Sequence, residues 1–190
     1  VTNTSYPTRL LSEVCEDVFS QTPSLNSDGL NKHQPTTQQI KASEKLMNAL
    51  FSNPLSRTLG LTGYGPEVLN LNTLLIATNI LRQEDDTWII DCPPNDQKLA
   101  KVWELINTYL LDGRKEGGVA IEPLSQILTE PPYGIRSGVI PVLFSAVAYR
   151  HLRVLTIRRD GRVQTPITGE LIVEMFANPA HFTIEIGEWN

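Results

Sequence analysis

The sequence predicts an α+β fold, mostly helical with small antiparallel β-ribbons and winged-helix-like units, and the prediction rests on three observations. Apolar residues recur at three- and four-residue spacing in several separated windows, the period of helices buried on one side. Asp160-Gly161 sits between two runs rich in branched residues, a strong hairpin signal. Between the two lies Glu130-Pro131-Pro132-Tyr133-Gly134-Ile135-Arg136-Ser137-Gly138-Val139-Ile140-Pro141, which halts one helix, turns and launches the most apolar helix of the chain. Consecutive prolines bar Glu130 and Pro131 from the α region, Gly134 and Gly138 permit unusual backbone angles, and Ser137 is a good N-cap residue. Pro141, at the fourth position of a helix expected over 138–150, lacks only a donor that has no intrahelical partner. The same turn is expected to be buried, with Tyr133 packed on that helix.

From the N-terminus, Leu10, Leu11, Val14, Cys15, Val18 and Phe19 form one stripe of a helix over 8–21, which should dock on a core. Thr22 to Pro35 is aperiodic and rich in Ser, Asn, Pro and Gly, so it reads as a linker. Thr37 can cap a helix to Phe51, with Ile40, Met47, Leu50 and Phe51 inward and Lys41, Glu44, Lys45 and Asn48 outward. After Asn53-Pro54, glycines 60, 63 and 65 precede Pro66, which suits the first position of a helix to Leu81. Trp88 to Asp91 reads as a short strand stopped by Pro93-Pro94.

Asp96 can cap the next helix, whose stripe is Leu99, Val102, Trp103, Ile106, Tyr109 and Leu110 and whose end is expected at Asp112-Gly113. A Gly117-Gly118 turn, a tiny strand Val119 to Ile121 and a short helix follow, the helix with Pro123 at its first position and Leu124, Ile127 and Leu128 inward. Beyond the central helix, Leu152 to Arg158 and Arg162 to Thr165 make a ribbon. Thr168 caps a helix with Leu171, Ile172, Met175 and Phe176 inward, ended by Asn178-Pro179. Phe182, Ile184 and Ile186 alternate in a last strand, most simply paired with Leu152 to Ile157.

The chain has 190 residues, 41% of them apolar, enough for one large domain or two small ones. The expected divisions are an N-terminal helix and linker over 1–35, a helical unit over 36–95 and a winged-helix-like unit over 96–190. With 16 Lys and Arg against 21 Asp and Glu, the net charge of −5 argues against a domain that binds polyanions over its whole surface. Cys15 and Cys92, without Cys-x-x-Cys or a Cys/His cluster, read as small buried hydrophobes of a reducing compartment, so a cytoplasmic location is expected. No stretch approaches the roughly 18 apolar residues of a membrane span. Val1 in place of Met points to a processed chain or a segment of a longer one.

From Asp96 the order of long helix, tiny strand, short helix, turn, longer helix and hairpin is that of a winged-helix unit. A weaker echo runs upstream, from the helix before Tyr64-Gly65 to the strand Trp88 to Asp91. The residues also carry a resemblance. Pro131 to Leu143, the preceding Leu124 to Leu128, Leu59 to Glu67 and the closing Asn178-Pro179 with Phe182-Thr183-Ile184 resemble a region of large bacterial ATPases of phage-defence islands, such as those of bacteriophage-exclusion (BREX) systems. The likeness covers most of Thr37 to Ile186. In such proteins the region accompanies a separate P-loop ATPase core that this chain lacks. The resemblance implies a non-catalytic adaptor whose partners are proteins or other domains of a parent ATPase, with DNA as the alternative.

No residue set argues for catalysis. The glycines before Pro66 lack the Lys-Ser/Thr pair of a phosphate loop and a preceding strand, so they read as a packing turn. His33, His151 and His181 lack ligand spacing, and Glu84-Asp85-Asp86 reads as a solvated loop rather than a metal site. No cofactor, metal or small-molecule substrate is expected. The cluster worth attention is basic: Arg136, Arg150, Arg153, Arg158, Arg159 and Arg162 stand against one acid, Asp160. It reads as a protein or interdomain docking surface, a phosphate-binding wing or a solvated face. Base reading is disfavoured, because Val139, Ile140, Val142, Leu143, Phe144, Ala146, Val147 and Ala148 carry no side-chain donors.

Overall fold

A computed structural model describes residues 5–25, 35–115 and 118–187, with the side chains of 5–10, 114 and 115 outside that description. The chain runs α1 (Ser5–Val18), α2 (Thr37–Ser52), α3 (Pro66–Asn70) continued by a π-helical turn (Leu71–Ile76), and the hairpin β1 (Leu81–Glu84) and β2 (Thr87–Ile90). Then come α4 (Gln97–Lys115), β3 (Val119–Ala120), α5 (Ile121–Thr129), α6 (Ile140–Ala148) with a 3-10 turn (Tyr149–His151), and the hairpin β4 (Leu155–Arg159) and β5 (Arg162–Gln164). The chain closes with α7 (Gly169–Ala177), a second 3-10 turn (Pro179–His181) and β6 (Phe182–Ile186). Helices and two small antiparallel sheets bear out the α+β class.

Every residue of α6 is buried, as a composition apolar at all positions but Ser145 requires. It is covered by α2, α4 and α7. Its one hydroxyl, on Ser145, donates to Met47 Sδ of α2 at 3.0 Å. The helix begins later than the sequence predicts and Ser137 does not cap it. Val139 takes the N-cap position with no side-chain bond, and its amide donates to the Arg136 carbonyl at 2.9 Å, so a tight turn occupies 136–139. Pro141 therefore lies in the first turn, where a missing donor costs nothing.

The larger sheet has the order β3-β6-β4-β5. Ile184 faces Ile157 and Ile186 faces Leu155 across the ladder, and all four are buried on the core side. The last strand thus pairs with the ribbon as expected. Asp160 at φ 48° and Gly161 at φ 78° form the left-handed turn that a two-residue hairpin needs. The order α4, β3, α5, α6, β4 and β5 is compatible with a winged-helix-like unit, with β6 lying between β3 and the hairpin in the sheet.

Several boundaries differ from the sequence reading. Thr36, not Thr37, caps α2, its Oγ1 accepting from the Gln39 amide at 3.3 Å. The helix expected to Leu81 ends at Ile76, because Asn79 at φ 59° reverses the chain and Leu81 starts β1, the partner that the sequence reading missed for β2. Glu84 accordingly belongs to a strand, with Asp85 at φ 50° in the turn. Helix α4 continues past Asp112-Gly113 to Lys115. Gly113 is a packing residue rather than a stop: a Cβ there would meet Val119 Cγ2 at 3.1 Å and the Ile184 carbonyl at 3.2 Å.

Ile121 opens α5, which puts Pro123 at its third position, and Ile127 points outward, 40% exposed. Residues 152–154 turn rather than extend. Thr168 caps α7 as expected, accepting from the Leu171 amide at 3.2 Å. Most of the expected linker, residues 26–34, lies outside the described residues, as do Gly117 and the side chain of Leu10.

Candidate functional site

The structure does not bring the six arginines into one patch. Arg158 and Arg159 are successive residues of β4 and so point to opposite faces of the sheet. Arg158 pairs with Glu185 at 2.9 Å on the neighbouring strand β6. Arg159 pairs with Glu174 of α7 at 2.5 Å and lies over the Phe182 ring, 5.8 Å from its centroid. Arg162 faces Arg159 across the hairpin and is exposed. Arg150 pairs with Asp91, which follows β2, at 2.8 Å. Arg153 is exposed on the loop before β4, and Arg136 is exposed in the central turn. Carboxylates from the segment after β2, from β6 and from α7 thus meet three of the six, Arg150, Arg158 and Arg159.

The N-terminal helix departs furthest from expectation. Leu11, Val14 and Val18, one face at i, i+3 and i+7, are 65%, 51% and 44% exposed, and Cys15 is exposed as well. Spacing identifies which side of a helix is apolar, not whether this chain covers it. What is anchored is the segment just beyond. The Gln21 amide donates to the Pro132 carbonyl at 3.0 Å, and Thr22 Oγ1 donates to the Tyr133 carbonyl at 2.5 Å. Gly134, at φ 57°, lets the Phe19 ring approach: a Cβ there would meet it at 2.6 Å.

The central turn is consequently only half buried, contrary to expectation. Ile135, Gly138 and Val139 are inside, Tyr133 is intermediate, and Pro131, Pro132, Arg136 and Ser137 face solvent, because the chain from Gln21 to Leu25 covers one side only. Between that segment and the turn opens a cleft of about 1010 Å³, with Glu16, Lys98 and Arg136 among its walls. A second, smaller cavity of about 170 Å³ lies where α2, the start of α6 and α7 meet. Two polar atoms on its α2 wall, Gln39 Oε1 and Ser43 Oγ, are buried without a hydrogen-bond partner among the described residues.

The sequence reading missed Asn48, Glu44 and Glu67. Asn48, expected outward, binds α7: its Oδ1 accepts from the Gly169 amide at 2.7 Å and its Nδ2 donates to the Glu170 carboxylate at 3.1 Å. Glu44 is buried, with Lys41 Nζ donating to it at 2.6 Å. Glu67 is buried against Lys45, whose hydrogen bond, together with a backbone amide, holds its carboxyl below the ordinary glutamate range. The Asn48 amide does the same to Glu170. Burial lowers the His151 imidazole, aided by the neighbouring Arg150 charge, and burial raises the half-exposed Cys92 thiol, aided by Glu104. Among the described residues no three His, Cys, Asp or Glu side chains gather as a metal site, and no helix is long and apolar enough to cross a membrane.

No family model matches this chain, and no significant match is found among curated proteins or solved structures.

Proposed function

We propose that this chain is a non-catalytic interaction module of a larger bacterial, phage-defence-type ATPase, mediating contacts with protein partners or with other domains of the parent. The observation that carries the reading is the apolar face of α1, where Leu11, Val14 and Val18 are exposed in line. A helix face of this kind gains most by packing on another apolar surface. The arginine ribbon supports it from the other side. Arg158 and Arg159 engage carboxylates on opposite faces, which leaves little concerted charge for a phosphate backbone.

The test is co-expression with the products of the parent operon followed by capture on the tagged chain, set beside a DNA gel shift at low and moderate salt. A protein partner is expected, lost on Leu11→Glu combined with Val18→Glu, with no shift of DNA. Those substitutions should move stability by only about 0.5 kcal/mol each, because both sites face water. A salt-sensitive DNA shift without a protein partner would overturn the reading in favour of a sequence-nonspecific DNA-binding wing. ATP turnover that persisted through repurification would overturn its non-catalytic part.

A further inference from the structure

We propose that the cavity between α2, α6 and α7 is a slot for one phenolic side chain, a tyrosine presented by the partner protein. The identity of that occupant rests on the interaction reading above, whereas the chemistry of the slot stands on its own geometry.

Among the residues that line the slot are Gln39, Ile40 and Ser43 of α2, Ser137 and Gly138 just before α6, Pro141 in its first turn, and Val173 and Phe176 of α7. Its volume, about 170 Å³, decides the size of ligand. Sites for drug-sized molecules begin at roughly 300 Å³. An apolar cavity of about 150 Å³ holds a single benzene ring. One aromatic ring therefore fits, between the walls of Ile40, Pro141, Val173 and Phe176.

The polar requirement comes from α2. Gln39 and Ser43 are four residues apart, so they project from the same face of the helix. Ser43 is only 3% exposed and its hydroxyl has no partner among the described residues, although an unpaired buried polar group is costly to keep. Gln39 Oε1 beside it is likewise buried and unpaired. A single hydroxyl satisfies both, donating to Gln39 Oε1 and accepting from the Ser43 hydroxyl. It does so equally if the Gln39 amide is turned over, by donating to Ser43 and accepting from the amide nitrogen. A carboxylate has no proton for Gln39 Oε1, and an unsubstituted ring leaves both atoms unpaired. A ring with one hydroxyl is a phenol, and in a protein partner that is tyrosine.

The probes are p-cresol, the tyrosine side chain to its Cβ, and toluene, its phenylalanine counterpart, titrated into the isotope-labelled chain and followed by amide NMR. p-Cresol should shift the amides of Gln39, Ser43, Gly138 and Val173 and bind at least about ten-fold more tightly than toluene, the discrimination expected of a buried hydrogen-bonding site. Ser43→Ala should reduce p-cresol to the level of toluene. Should Ser43→Ala fail to fold, Val173→Phe fills the slot from α7 and should abolish binding of both probes. Binding of neither probe, or equal binding of both with no effect of Ser43→Ala, overturns the slot.

In the capture experiment, Val173→Phe should weaken the partner. If it abolishes p-cresol binding yet leaves capture intact, the partner does not use the slot and the occupant is wrong, while the interaction reading stands. Concentration-dependent self-association lost on Tyr64→Ala would also overturn the assignment to a separate partner. Tyr64 is fully exposed, so a second copy would then supply the phenol. Conversely, p-cresol binding with no captured partner would uphold the slot and remove the interaction reading.

Discussion

The Gly169 amide donates to Asn48 Oδ1 at 2.7 Å, which fixes the first turn of α7 on the flank of α2. The contact is closer than any side chain permits, since a Cβ on Gly169 would run into the Glu44 carbonyl. Backbone cannot swing aside as a flexible side chain can. Gly169→Ala should therefore destabilise by about 2–3 kcal/mol, the range of overpacked sites. Asn48→Ala, which orphans that amide, should cost about 1–2 kcal/mol. Urea unfolding measures both, and a Gly169→Ala protein as stable as the parent would show that α7 is free to shift.

Acid should loosen the fold through Glu67 and Glu170, both held below the ordinary glutamate value by hydrogen bonds that favour the charged form. A carboxyl depressed in the folded state adds stability above its unfolded value, about 4.3, and that contribution disappears as pH falls through the folded value. The loss thus lies in the window below about pH 4.3. Glu67→Gln removes one such group, so its melting temperature should fall less than the parent's between about pH 6 and pH 3. Parallel curves for the two proteins would remove Glu67 from this role.

The periodic elements were legible because local signals and packing agree there. Thr168, Asp96 and Asp160-Gly161 place their caps and turn where short-range chemistry alone puts them. Misreadings fell where a distant contact decides. Gly113 looks like a helix stop until Val119 and Ile184 are seen to need its missing side chain. Asn48 and Glu44 look solvent-facing until α7 and Lys41 meet them. The arginine cluster had the same weakness. A linear count of charge between 136 and 162 cannot include Asp91, Glu174 and Glu185, which arrive from other elements. The Ser43 slot lacked any short-range signal, because its emptiness of hydrogen bonds is set by three helices at once.

Phe144 is the centre of the core, fully buried on α6 and packed edge-on against Phe176 with ring centroids 5.2 Å apart and planes at 71°. Phe144→Ala should cost about 3–5 kcal/mol, since the transfer of the ring and the cavity left behind act together. Ile127→Ala, at a site that is 40% exposed, is the control and should cost under about 1 kcal/mol. Equal destabilisation by the two would mean that α5 is covered by something other than this chain's own core.

The remaining prediction separates folding from phosphate contact at the ribbon. Arg158→Glu sets two carboxylates together where a 2.9 Å ion pair stood, on neighbouring strands, and should cost about 1 kcal/mol. Adding Glu185→Arg reverses the pair and should recover about 0.2–1 kcal/mol of that loss, a coupling that a double-mutant cycle reads directly. Arg162→Glu, at an exposed position facing another arginine, should leave stability within about 0.5 kcal/mol or raise it slightly. Reversing Arg158 and Arg162 together would mix these effects, so the reversed pair is the cleaner probe: it keeps the net charge while moving the positive group from β4 to β6. On the interaction reading neither the parent nor the reversed-pair protein retards DNA. A parent that retards DNA with steep salt dependence, and a reversed-pair or Arg162→Glu protein that is equally stable but does not, would make the ribbon a phosphate contact and displace that reading.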